Sequence, residues 1–310
     1  MLIDMRDAFF EELVLQAQLN PNIIILSADH GALALEEFAR TNPKQYINIG
    51  IAEQNMVGVA AGLAASGKIV FIYGITPFVS LRILEHLTID VAAMQLPVNV
   101  ISVGAGFTYS TDGPTHQGLQ DLAAILSVPG MRVLNSSDPS NTSDFVQKAI
   151  EEQKPSYIRI EKEKLQKFMR LNVDYIKDGY SLLTSGNSNL MLISTGSISH
   201  DVQRVISSLT EKGGKIPTHI DLHQLKPLSA DSLIDIAKRF THIILIDEGF
   251  ASGFQQALSE FLLRSHWQGE IQSLCVSDAT VYSGDSRTNL KELQNIGLSD
   301  IELQIRKILD

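Results

Sequence analysis

Two doubly wound α/β domains are predicted by this 310-residue sequence, and three features predict them. Apolar, β-rich runs alternate with helical patterns along most of the chain. The alternation breaks near Glu161, where "EKEKLQKFMRLNVDYIKDGYSLLTSGNSN" turns polar and irregular, and it resumes at "LMLIST". The length also fits about two domains of roughly 100–200 residues each. Continuous apolar strands separated by helices imply parallel sheets covered on both faces. The expected division is a first domain over 1–165, a linker with a small hairpin over 166–185, and a second domain over 186–310.

The opening "MLIDMRDAFFEELVLQAQ" mixes acids with apolar residues and reads as an amphipathic helix rather than a signal peptide. Strands are expected at Asn22–Ala28, Lys68–Tyr73, Pro97–Val103 and Tyr157–Ile160. Helices are expected in "EQNMVGVAAGLAASG", "VSLRILEHLTIDVAAMQ" and "PSNTSDFVQKAIEEQ". In the second domain, strands are expected at Leu190–Thr195, Pro217–Leu222 and His242–Asp247. The helices there are "HDVQRVISSLTEKG" and "SGFQQALSEFLLRS".

Composition narrows the function. The formal net charge is −10. An acidic chain grips a phosphate backbone or an anionic membrane poorly, so neither nucleic acid nor membrane is an expected partner. Runs such as "NIIILSA" fall far short of a membrane span of about 20 residues. The lone Cys275 allows no intrachain disulfide and demands no oxidising compartment. A soluble, cytoplasmic protein is expected.

Two stretches carry chemistry. In "IGIAEQNMVGVAAG", Glu53 leads a segment built for burial, and small residues from Gly58 to Ala65 suit close packing. Glu53 can complement the helix dipole, worth about 0.3–1 kcal/mol. Desolvated, it can instead hold or deliver a proton near neutrality. In "STDGPTHQGLQD", Asp112 and His116 follow a strand and so sit where ligands gather in parallel sheets. Histidine titrates near physiological pH. The same residues also suit a plain surface turn. No further His or Cys has metal-ligand spacing, and no metal is expected on this chain.

Together, "GIAEQNMVGVAAGLAASG" and "DGPTHQ" resemble the pyrimidine-binding domain of transketolase. The later "STGSISHDVQRVISSL" and "KIPTHIDLHQLKPL" look like that family's carboxyl-terminal domain. The length matches only the second half of a full transketolase, so the chain resembles the carboxyl-terminal subunit of a split, two-gene enzyme. The resemblance implies thiamine diphosphate as cofactor and transfer of a two-carbon unit from a ketose to an aldehyde. It implies that Glu53 contacts the aminopyrimidine ring, that Phe78 packs against it (or is plain core), and that Asp29 and Ile75 line the cofactor pocket. His116 would contact donor hydroxyls and assist proton transfer. Asp112 would read hydroxyl stereochemistry, and Arg6 and Lys162 would hold a substrate phosphate.

Departures matter as much. The family anchors the diphosphate through Mg²⁺ on a "GDG" motif with a downstream asparagine, and this chain has neither. The resemblance therefore implies an amino-terminal partner subunit that binds Mg²⁺, in an α₂β₂ complex. The family's histidine eight residues before Asp112 is Gly104, a small hydroxyl residue is Leu33, and an arginine is Lys162. The phosphate cradle is weakened unless the partner or a nearby basic residue such as Arg159 restores it. Two other readings stay open: the β subunit of a 2-oxoacid dehydrogenase, and a non-catalytic scaffold or regulatory paralogue.

Overall fold

The computed structural model describes residues 1–228 and 230–309. Its first sheet has seven strands. In spatial order they are Gln224–Lys226, Arg132–Asn135, Ser156–Ile160, Val98–Val103, Ile69–Ile75, Ile23–Ser27 and Tyr46–Asn48. All neighbours run parallel except the outermost strand, Gln224–Lys226, which is antiparallel. Ile23–Ser27, Val98–Val103 and Ser156–Ile160 are buried at every position, as continuous apolar runs between two helical layers should be. The second sheet has five strands ordered Glu270–Val276, His242–Phe250, Leu190–Ser194, Thr218–Leu222 and Tyr180–Thr184.

The stretch 166–185 forms no hairpin. Lys164–Leu165 instead pairs antiparallel with Ile3–Asp4, and Tyr180–Thr184 becomes an antiparallel edge strand of the second sheet. Tyr180 and Leu183 are buried there, so that sheet offers them more apolar cover than a local hairpin could. The helix expected over 79–95 also differs. Only Leu84–His86 is α-helical, and Leu87–Ala92 widens into a π turn. The Thr88 hydroxyl donates to the Leu84 carbonyl at 2.7 Å, and the Ala93 N–H reaches back five residues to Thr88 at 3.0 Å. Such widened turns often accompany functional sites.

The two domains share one core. Val57, Ile72 and Val133 of the first belong to the same apolar cluster as Met191, Ile220 and Leu258 of the second. The strand Gln224–Lys226 completes the first sheet from within the second half of the chain, and the Asn135 N–H donates to the His223 carbonyl at 2.8 Å. No helix among the described residues is long and apolar enough to cross a membrane.

Candidate active site

The candidate residues gather beyond the carboxyl ends of four parallel strands. Ile23–Ser27 delivers Asp29 and His30. Ile69–Ile75 delivers Ile75, Phe78 and Arg82. Val98–Val103 delivers Gly104, Tyr109, Asp112 and His116. Ser156–Ile160 delivers Lys162.

Glu53 begins the helix Glu53–Ala65 with no side-chain cap before it. It is only 3% exposed, so its carboxylate does more than face solvent at a helix end. Nη1 of Arg82 donates to Oε1 at 2.7 Å, and Nε2 of His30 lies 3.8 Å from the same oxygen. Burying a carboxylate is costly unless it is paired and hydrogen-bonded, and Arg82 and His30 supply those partners. Burial pushes the His30 imidazole below its ordinary range, against the opposing pull of Glu53. Its Nδ1 is buried without a hydrogen-bond partner. Gly74 makes room for this ring: a Cβ there would lie 3.4 Å from two atoms of His30 and 2.5 Å from Val79.

A row of rings leads away from Glu53. His30 stacks on Phe78 at 5.7 Å between centroids, and the Arg82 guanidinium lies 4.3 Å from the centre of the same Phe78 ring. His116 meets Phe78 edge-on at 5.3 Å, and Tyr109 meets His116 at 6.1 Å. The ammonium of Lys162 sits 5.3 Å over Tyr109. Burial pushes the Tyr109 phenol up to about 12, with Tyr73, Arg6 and Asp112 close enough to act on it. Arg6 also acts on the Tyr73 phenol, and its own Nε is buried without a partner.

The turn "STDGPT" forms a 3₁₀ segment over Ser110–Thr115, broken at Gly113 with φ of 74°. It leaves Asp112 exposed and His116 half-buried, with the Thr115 hydroxyl 2.9 Å from Nδ1 of His116. Asp29 has φ of 59°. Its backbone N–H donates to Oδ1 of Asn48 at 3.2 Å, and its carboxylate accepts from Nδ2 of Asn48 at 3.3 Å. Ile75 closes its strand, half-buried beside this wall. The space over Gly104 is filled by Tyr109, since a Cβ there would come within 2.5 Å of that ring. Arg159 cannot refill the anion cradle. It is 2% exposed and bonded to Asp121 at 2.9 Å and to the Gly118 carbonyl at 2.7 Å.

Three residues on the wall escape the motif reading: His30, Arg82 and Tyr109. A histidine directly after Asp29 and an arginine closing "PFVSLR" were the available signals. Among the described residues, no group of three or more His, Cys, Asp or Glu is placed to hold a metal ion.

Residues 2–167 match the family profile described as "Transketolase, pyrimidine binding domain", and residues 179–299 match "Transketolase, C-terminal domain". Among curated proteins, the chain is 29% identical to one of the subunits of the apulose-4-phosphate transketolase of Phocaeicola vulgatus, over 80% of this chain and 79% of that one. It is 27% identical to the 6-deoxy-6-sulfo-D-fructose transketolase subunit SqwH of a Clostridium species, over 80% and 77%. A solved structure described as "Split gene transketolase, inactive beta4 tetramer" superposes with a TM-score of 0.88 at 26% identity, covering 99% of this chain and 98% of that one. With a buried glutamate heading the ring wall and both domains matched in order, the chain belongs to the transketolase family and resembles the carboxyl-terminal subunit of its split members.

Proposed function

We propose that this chain is the carboxyl-terminal subunit of a thiamine-diphosphate-dependent transketolase, acting with an amino-terminal subunit to move a two-carbon ketol unit from a ketose to an aldehyde. The observation that carries the reading is Glu53, a buried carboxylate at one end of a ring wall that also presents His116. These residues fit the aminopyrimidine end of the cofactor. A carboxylate beside aromatic faces suits a planar ring bearing nitrogens, and the unpartnered Nδ1 of His30 adds a polar atom to the same place.

When bound, thiamine diphosphate supplies the carbanion stabilisation that the transfer needs. The protein binds, orients and moves protons. Both contacts to Glu53 engage Oε1, and Glu53 would hold the proton at a ring nitrogen of the bound cofactor. Phe78 would hold the ring's face, with Asp29 and Ile75 lining the same pocket. His116 exchanges protons with donor hydroxyls, and the exposed Asp112 accepts hydrogen bonds from them. Arg6 and Lys162 face the far end of the substrate.

The diphosphate and Mg²⁺ fall to the partner subunit, in an α₂β₂ assembly. The related proteins named as transketolase subunits, and the similar structure described as an inactive tetramer of β chains, support that division. The substrate differs from an ordinary pentose or hexose phosphate pair. Tyr109 stands over Gly104 where the resemblance leads one to expect a histidine, and Lys162 offers a point charge in place of a bidentate fork. The two relatives are named for unusual sugars, one phosphorylated and one sulfonated, which supports a modified ketose carrying a terminal anion. The test is a panel of phosphorylated, sulfonated and neutral ketoses and aldoses with the reconstituted pair, compared by kcat/KM. Release of carbon dioxide from 2-oxoacids instead would favour the dehydrogenase reading. No turnover of any donor by a pair that binds cofactor would favour a scaffold.

A further inference from the structure

We propose that Arg287, in the carboxyl-terminal domain, is a positioning residue that holds the loop carrying Asp112 and His116; the inference rests on the functional reading above. The side chain lies at the centre of an ionic knot in which Glu161 and Glu248 are buried. Nε donates to Oε1 of Glu248 at 2.8 Å, and Nη2 donates to Oε2 of Glu248 at 2.8 Å. Nη1 and Nη2 each donate to a separate oxygen of Glu161 at 3.0 Å. Nη1 also meets Glu163 at 2.9 Å, and Nη2 meets the Ser197 hydroxyl at 2.9 Å. One guanidinium thus serves three carboxylates.

Two of those carboxylates reach the loop. Oε1 of Glu248 accepts the Phe107 N–H at 2.7 Å. Oε2 of Glu161 accepts the Thr108 hydroxyl. Gly106, with φ of 56°, permits the approach, since a Cβ there would fall 2.7 Å from Cδ of Glu248. Glu161 also directly precedes Lys162 in the chain. The two arms that face substrate, the loop with Tyr109 and the strand end with Lys162, are therefore tied together through Glu161 and Glu248, and Arg287 holds both of those carboxylates while contacting neither Tyr109 nor Lys162. Further along the loop, Gly284 lies against Thr111, 3.3 Å from the site of its absent Cβ to the Thr111 carbonyl oxygen. Ser286 caps the helix that begins at Arg287 by accepting the Asn289 N–H at 3.2 Å, which fixes where Arg287 starts.

This geometry needs a planar fork with five donors. Lysine keeps the charge but carries three donors on one nitrogen, so it cannot repeat the paired contacts to both Glu161 and Glu248, and Arg287→Lys is the informative variant. Amide exchange is measured on the full chain, and kinetics on the chain paired with its amino-terminal subunit. Expected is at least tenfold faster exchange across 107–118, with the strand Val98–Val103 unchanged. Expected too is a loss of about 10- to 100-fold in kcat/KM carried mainly by donor KM, on the scale of an ångström-level misplacement. Cofactor affinity should stay within about twofold of wild type, a ratio far below that loss. Should Arg287→Lys fail to fold, Thr108→Val removes only the hydroxyl hook and should give the same pattern, weaker. Unchanged loop exchange, or loosening spread evenly over both domains with donor KM unmoved, overturns the positioning role. Absence of ketol transfer by the wild-type pair refutes the functional reading instead, and the exchange result still decides whether Arg287 holds the loop.

Discussion

Gly104 sits where a side chain meets two separate penalties. Its φ is 105°, a region that residues with a Cβ rarely adopt. Holding alanine there costs about 1–3 kcal/mol in backbone strain. The new Cβ would also come within 2.5 Å of the Tyr109 ring, which must then move. Overpacking of this kind costs about 1–3 kcal/mol more. Gly104→Ala should therefore lose about 2–6 kcal/mol of stability, a large part of the roughly 5–15 kcal/mol typical of a folded protein. Urea denaturation measures this, given an unchanged slope for the transition that unfolds the first domain. A double-mutant cycle separates the two causes. Tyr109→Ala removes the clash but leaves the strain, so the pair should recover about 1–3 kcal/mol relative to additivity. A Gly104→Ala protein within about 0.5 kcal/mol of wild type would rule out both the strain and the clash, and an additive cycle would rule out the clash with Tyr109. A corollary concerns specificity: Gly104→His alone should not confer efficient use of ordinary sugar phosphates, because Tyr109 occupies the space.

Glu53→Gln should keep the circular dichroism of the wild type and lower kcat of the reconstituted pair by about 10²–10⁴, the usual scale of acid–base contributions. A value within twofold would return Glu53 to a helix-end role. Stability against pH carries a second signature. Burial pushes His219 and His223 down to about 3, so the unfolded chain takes up protons that the folded one refuses, and stability falls as pH drops from about 6.5. Burial pushes Asp221 and Asp247 up to about 7, which works the opposite way: their contribution is present at low pH and is lost as pH rises through 7. The two effects oppose each other between about pH 6.5 and 4. Asp221→Asn should unbalance them, making stability fall by up to about 1.4 kcal/mol more per pH unit of acidification, read from urea midpoints at several pH values. An unchanged slope would contradict the opposing pair.

Much of this fold is legible in the sequence because the inner strands are unbroken apolar runs. Nothing in "IIILS" or "VNVISV" says which neighbour each will choose, however, and strand order had to come from the structure. Gln224–Lys226 is less legible still. Three residues carry little pattern, and their pairing with Arg132–Asn135 is set by packing between domains. In the site, Glu53, Asp112 and His116 stand out because polar groups in rigid small-residue or glycine-rich settings call for a reason. Tyr109 does not stand out. Its role comes from a contact with a residue that has no side chain, and "GAGFTY" looks like a loop whether or not the ring folds back over Gly104. Arg159 misleads in the other direction, since its charge is taken up by Asp121 deep in the fold.

Calorimetry with thiamine diphosphate and Mg²⁺ distinguishes half an active site from a complete one. It compares this chain alone, this chain mixed with an amino-terminal subunit, and the same mixture carrying Glu53→Gln. Weak or no binding is expected of the lone chain and Mg²⁺-dependent binding of the pair, with ketol transfer only where Glu53 is intact. Tight Mg²⁺-dependent binding and turnover by the chain alone would mean that it holds a complete site without a partner.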